Sequence, residues 1–256
     1  MRNKSVFLVV IVVLFVLSIG WRKAEATVYF NDGGTHTIGY AINDYVQILD
    51  SPGGGHTTLS VNSGGFIAQT LSAKDNSQVT IYGGEMGDDL CVYDNAIVTV
   101  LSGRIDDHFL LFNDSQVTIS GGEMGLGIET YDASKVIISG GVISDWVAAN
   151  NFSEVYISGG SIATDLVATK NSIITIFGSD FAIDGLTVGY GELSSILGND
   201  YNIDPARRLT GTLENGQSID NDFYIGFSAK IVLVPEPATL LLLGLGAVIL
   251  RKKHRA

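Results

Sequence analysis

From Thr58 to Tyr190 apolar and polar residues alternate in short runs, and the runs recur with a period of 19 residues. Small pairs mark the period at Gly64-Gly65, Gly83-Gly84, Ser102-Gly103, Gly121-Gly122, Gly140-Gly141, Gly159-Gly160 and Gly178-Ser179. A second column keeps the same spacing, through Asp75-Asn76-Ser77, Asp94-Asn95-Ala96, Asn113-Asp114-Ser115, Asp132-Ala133-Ser134, Asn151-Phe152-Ser153 and Lys170-Asn171-Ser172. Between these marks the apolar positions follow period two, as half-buried strands do. Before each small pair stand two apolar residues on one face: Val79/Ile81, Val98/Val100, Val117/Ile119, Val136/Ile138, Val155/Ile157 and Ile174/Ile176. One follows each pair: Met86, Ile105, Met124, Ile143, Ile162 and Phe181. A third set comprises Leu90/Val92, Phe109/Leu111, Ile128, Val147/Ala149 and Leu166/Ala168.

Three short strands per period, separated by turns, describe one coil. Coils stacked at the strand spacing of about 4.8 Å place each strand beside its copy in the next coil. Glycine pairs at this frequency would break any helix. The predicted fold is therefore all-β, a single-stranded parallel β-helix with coils of 19 residues. Nineteen is no multiple of six, which disfavours the left-handed hexapeptide form and points to the right-handed one. Glycine at the corners permits positive φ, and Asx residues tolerate the left-handed region while bonding nearby backbone. Residues 27–57 fall outside the register and read as an N-terminal β cap or first coils, with strands at Val28–Phe30 and Tyr45–Leu49. Residues 191–234 leave it again. There Arg207–Leu213 and Phe223–Val234, with turns at Asn215-Gly216 and Asp220-Asn221-Asp222, predict a β cap over the last coil.

The two ends read as addresses. Arg2 and Lys4 precede an apolar run from Val6 to Ile19, and Ala24-Glu25-Ala26 supplies an A-x-A cleavage site, so residues 1–26 are expected to be a helical signal peptide cut after Ala26. The secretion translocon is then a partner. At the other end, residues 235–256 run Pro235-Glu236-Pro237, an apolar stretch Ala238–Leu250, then Arg251-Lys252-Lys253-His254-Arg255. As a helix, that stretch spans about 20 Å, short of a hydrocarbon core of about 30 Å. The basic cluster is expected to stay cytoplasmic, with the body across the membrane. Both prolines resist helix, so the segment before the apolar run should be extended, the form a protease reads.

This tail resembles the PEP-CTERM sorting signal. In that family the signal marks exported proteins of Gram-negative bacteria, and exosortase, a membrane-embedded cysteine transpeptidase, recognises it and removes the tail. The resemblance implies recognition through Pro235, Glu236 and Pro237, membrane retention through Ala238–Leu250 and orientation through Arg251, Lys252, Lys253 and Arg255. It also implies a setting of cell-surface and extracellular polysaccharide material, such as a biofilm matrix. The repeats, typified by Ser115-Gln116-Val117-Thr118-Ile119-Ser120-Gly121-Gly122, are similar to those of β-helical surface proteins that carry this tail.

Charge narrows the partners. Across residues 27–234 seven basic residues face 25 acidic ones, which disfavours binding to nucleic acid or anionic lipid. The single cysteine, Cys91, excludes an internal disulfide and multi-cysteine metal sites; alternation places it outward between Leu90 and Val92. His36, His56, His108 and His254 are dispersed, and no cofactor fingerprint is present.

Stacking does create one acidic group. Asp88 and Asp107 share a column, Asp89 and His108 share the next, and Asp106 lies beside them. Carboxylates about 5 Å apart can cleave a glycosidic bond with retention or hold calcium. The simpler reading is solvated turn residues, since the column continues as Leu126, Asp145 and Thr164 and only Arg104 is near to bind a uronate. Thr80, Thr99, Thr118 and Thr175 form an outward column interrupted by Ile137 and Tyr156, a candidate face for crystalline polysaccharide or ice. Tyr93, Phe112 and Tyr131 form an aromatic column, explained by cross-strand packing or by sugar stacking. The expectation is a non-enzymatic, exported surface or matrix protein, with polysaccharide binding or degradation through the Asp88/Asp107 face as the alternative.

Overall fold

The computed structural model describes residues 26–193, 207–226 and 228–236. The expected signal helix, the apolar tail helix and the masked part of the C-terminal cap lie outside these residues. The described chain is all-β, a parallel β-solenoid of about eight coils. The interval of the sequence pattern is the interval of the ladder. Val98 sits between Val79 and Val117, Thr99 between Thr80 and Thr118, Val100 between Ile81 and Ile119. The second sheet stacks Met86, Ile105 and Met124, and the third stacks Leu71, Leu90, Phe109 and Ile128.

Inward residues of all three sheets form one continuous core, with almost every member excluded from solvent. Each inward side chain packs on its own copy one coil away. Most inward positions keep an aliphatic residue from coil to coil, with exceptions such as Phe109 and the buried Thr130 in the third sheet, so the core propagates along the axis. The closed coil leaves no long lateral sheet edge, which restricts exposed edges to the two ends of the rod.

The left-handed corner is visible residue by residue. Asp75, Asp94, Asn113, Asp132, Asn151 and Lys170 all have φ between 55° and 61°. Their side chains also link the coils: the backbone N–H of Asp75 donates to Asp94 Oδ2 at 3.1 Å, that of Asp94 to Asn113 Oδ1 at 3.1 Å, and that of Asn113 to Asp132 Oδ2 at 3.0 Å. Two residues on, Ser77, Ser115, Ser134, Ser153 and Ser172 turn inward and are buried. Ser172 Oγ donates to a carbonyl of its own turn or of the previous coil, Thr169 O and Ala149 O, each at 2.8 Å. The glycine corner works by close approach. A Cβ at Gly140 would lie 2.4 Å from the Ser120 carbonyl oxygen of the coil before, while Gly141 takes φ +90°.

Three details refine or correct the expectation. First, from Lys135 onward the first and second strands of a coil fuse through the glycine pair, as in Lys135–Ile143 and Glu154–Ile162, with register shifts on either side of Ser139. A bulge absorbs the bend without breaking the ladder. Second, residues 27–57 join the solenoid: Thr27–Phe30 pairs with Tyr45–Ile48, which pairs with Leu71–Ala73, and Thr35–Ile38 pairs with Thr58–Val61. Their intervals are irregular because extra residues, notably the Ser51–Gly55 turn closed by Ser51 N to Gly55 O at 2.8 Å, bulge out of a corner.

Third, Asp220-Asn221-Asp222 is not a turn. It lies within the strand Ser218–Ile225, which forms a hairpin with Arg207–Leu213 and runs parallel to Asp165–Ala168. Asn221 is 2% exposed and donates through Nδ2 to Ile162 O at 2.9 Å and Thr164 O at 2.8 Å. These two bonds make a strand position better for this amide than a solvated turn. Asp220 and Asp222 face outward, to Arg208. The chain then turns at Gly226–Ala229, where Ser228 has φ 67°, and re-enters the first sheet.

Candidate functional site

The final strand, Lys230–Pro235, continues the first sheet. Ile231, Leu233 and Pro235 stand opposite Ile174, Ile176 and Gly178 in parallel register. On its other side Gly191–Leu193 pairs antiparallel with Ile231–Leu233. Ile231 and Leu233 alternate inward and are buried, whereas Val234 and Pro235 are half-buried. Proline has no N–H to give a ladder, so it is tolerated where a strand ends. Pro235 ends this one, and Glu236 follows it out of the sheet. A strand built for burial thus runs without interruption into Pro-Glu-Pro and the apolar stretch.

A PEP-CTERM protein-sorting motif matches residues 233–253. No curated protein and no solved structure matches the chain. The PEP-CTERM motif indicates export and exosortase-dependent sorting to the cell surface, with a membrane-held C-terminal tail. Its first three residues, Leu233, Val234 and Pro235, belong to the solenoid. Pro237, Arg251, Lys252, Lys253 and Arg255 lie outside the described residues, as does Ala24. Ala26 is exposed at the start of the described chain, with its N–H 3.3 Å from Asp44 Oδ1. Among the described residues no helix is long and apolar enough to cross a membrane.

The acidic group divides in two. Asp89, Asp107 and His108 come together, with one ligand atom from each within 4.8 Å of the others. His108 Nδ1 lies 2.7 Å from Asp107 Oδ1 and 3.4 Å from Asp89 Oδ1, while its backbone N–H donates to Asp89 Oδ1 at 3.1 Å. Asp88 instead accepts from Thr70 Oγ1 at 3.3 Å, and Asp106 pairs with Arg104. Asp88 and Asp107, which share a column, are therefore engaged with separate partners, whereas Asp89 and Asp107 share His108. In chemical type the trio matches a cation ligand set, and all three side chains are partly open to solvent.

Cys91 faces outward as alternation requires, but it is covered, at 6% exposure. Burial pushes its thiol up to about 11, with the Tyr93 hydrogen bond opposing and Asp89 and Asp88 reinforcing the rise. Such a thiol is inert as a nucleophile.

The threonine column has the predicted register, with Thr80, Thr99 and Thr118 adjacent and Ile137 and Tyr156 next. The aromatic column is a tight stack. Tyr93 and Phe112 lie 5.0 Å apart at 9°, Phe112 and Tyr131 5.2 Å apart at 6°. Lys74 Nζ covers the outer face of Tyr93 at 5.3 Å. Trp146, which the sequence did not single out, occupies the column of Asp89, His108 and Asp165. Gly127 makes room for it, since a Cβ there would lie 2.6 Å from the indole Nε1.

Proposed function

We propose that this chain is a non-enzymatic structural protein of the cell surface or extracellular matrix, a stiff acidic rod delivered by its sorting motif. One observation carries the reading: the motif grows directly out of the last coil, so sorting acts on the solenoid itself rather than on a separable domain. The translocon and exosortase are the expected delivery partners. Extracellular polysaccharide is the expected neighbour after delivery. A repetitive core with matching ladders suits a mechanical or spacing role, because each coil stabilises the next.

The rival role is hydrolysis through Asp88 and Asp107. Their separate engagements, with Thr70 and with His108, support the structural reading, because a retaining pair needs two carboxylates facing one bond. Two measurements test the proposal. Replacing Pro235-Glu236-Pro237 by alanines is expected to leave an untrimmed, membrane-retained species on a blot of fractionated cells; normal trimming overturns the sorting role. Reducing-end release from neutral and acidic polysaccharides is expected to be equal for wild type and the Asp88→Asn/Asp107→Asn double variant. Release that disappears in the double variant would establish an enzyme.

A further inference from the structure

The outward columns of the third sheet do not present a uniform surface. Along one column the side chains run Leu110, Glu129, Ala148, Val167 and Tyr224. Two small residues between a long acid and a tyrosine leave a depression floored by Ala148. Trp146 and Asp165 bound it on one side, from the column two residues before. Tyr131 and Asn150 bound it on the other, from the column two residues after. The concavity measures about 240 Å³, below the roughly 300–1,000 Å³ of pockets that enclose drug-sized ligands. It has room for a single ring.

Its walls have a definite chemistry. The aromatic stack ends here: Phe112 covers one face of Tyr131, but the next position is Asn150, so the other face has no aromatic or cationic partner among the described residues. Trp146, with the only indole in the described chain, is partly exposed on the opposite wall. The polar groups are mainly acceptors. Glu129 takes the Tyr131 hydroxyl and keeps acceptor capacity. Asp165 is half-buried, and burial, then Asp222 and Asp145, raise its carboxyl above the ordinary value. Asn150 Oδ1 accepts from Thr169 Oγ1 at 2.6 Å, which leaves its Nδ2 without a partner among the described residues. Trp146, whose indole lies against Gly127 and 6.1 Å from the His108 ring, and Tyr131 put aromatic surface on two walls, which suits the C–H face of a ring, and acceptor-rich walls call for several hydroxyl or amino donors around that ring. An anionic sugar would meet Glu129 and Asp165 unpaired.

We infer that this concavity, lined by Glu129, Tyr131, Trp146, Ala148, Asn150 and Asp165, binds one neutral or amino-substituted hexose unit of a glycan. The inference stands apart from the sorting role, since it needs neither the tail nor its removal. It also places glycan contact away from the Asp88/Asp107 group and from the threonine column.

The chain has two tryptophans, Trp21 and Trp146, so a Trp21→Phe full-length protein in detergent reports Trp146 alone. Its emission is titrated with cellohexaose, laminarihexaose, maltohexaose and a glucosamine hexamer, against polygalacturonate and choline. At least one neutral or glucosamine oligomer is expected to shift the emission saturably at millimolar concentration or below. Ala148→Phe, which fills the floor, and Tyr131→Leu, which removes the aromatic wall, are each expected to weaken that binding about tenfold or more. Thr118→Lys, on another sheet, is expected to leave it unchanged. Circular dichroism confirms the fold of each variant. If one of these two variants unfolds, the other decides. The inference is overturned if no hexasaccharide shifts the emission, if only polygalacturonate or only choline does, or if binding survives in whichever of Ala148→Phe and Tyr131→Leu is folded.

Discussion

At the scale of single residues, the left-handed corner separates what the coil requires from what it tolerates. Five of six corner residues are Asp or Asn, which accept positive φ because a short polar side chain can bond locally. Lys170 is the exception, at φ 60°. Lys170→Asn is therefore expected to stabilise the protein by about 1 kcal/mol, read as a rise in Tm. Asp132→Ala removes both the tolerant side chain and the acceptor for Asn113 N–H, and is expected to destabilise by about 1–2 kcal/mol. Asp165 gives a pH signature of the opposite sign to most carboxylates. Its folded value is raised by burial, then by Asp222 and Asp145, so the ionised form is less favourable folded than unfolded. It lowers stability at neutral pH, and the loss vanishes as pH falls through the raised value. Asp165→Asn is expected to raise Tm at neutral pH, with the difference closing as pH approaches the ordinary 3.8. Asp32 behaves in the usual way: its His36 hydrogen bond, then Gly34 N–H, hold it below 3.8, and that stability is lost in acid. At Cys91, alkylation by iodoacetamide at neutral pH is expected to be negligible until denaturant is added, because the covered thiol is held up to about 11.

At the scale of the element, the glycine corner is a close backbone contact between coils. Gly140→Ala places a Cβ 2.4 Å from a backbone oxygen, and backbone cannot move as a flexible side chain does. It is expected to destabilise by more than about 2 kcal/mol, a loss measurable by denaturant midpoint at unchanged m-value. The repeated corners were also the part of the fold most open to reading. One interval, kept without insertion from Gly64 to Gly178, states the coil length, and strict alternation states which side chains point inward. Val79, Val98 and Val117 are buried neighbours because nothing between them changes the count. Residues 27–57 hid the same architecture, since turns such as Ser51–Gly55 change the count while leaving the ladder intact. Asp220-Asn221-Asp222 misled for a different reason. Its composition is that of a turn, but two carbonyls of a distant coil, Ile162 and Thr164, satisfy the amide, and no local pattern reports that. Of the site, the sorting motif is written in contiguous residues and needs no fold to be read. Trp146 became meaningful only through Gly127 one coil away and the small residues beside it, relations that appear once the coils are stacked.

At the scale of the whole molecule, the rod carries a strong negative charge over residues 27–234, with seven basic against 25 acidic residues. Several of the cations are already committed, Arg207 to Asp184, Arg208 to Asp220 and Lys230 to Glu192. The remaining repulsion acts along the axis and is screened by salt. Tm is expected to rise as sodium chloride increases from low to physiological ionic strength, and a fall would mean that the ion pairs outweigh the repulsion. The position of Pro235 sets the geometry of the bilayer encounter. It is the last paired residue of the last coil, facing Gly178, and only Glu236 and Pro237 stand between it and the apolar stretch. A protein hung on a flexible leash would wander and tilt. With so few residues between, a tail held in the bilayer is expected to bring the final coil up against the lipid headgroups, and a processing enzyme acting at that junction is expected to work beside a folded barrier.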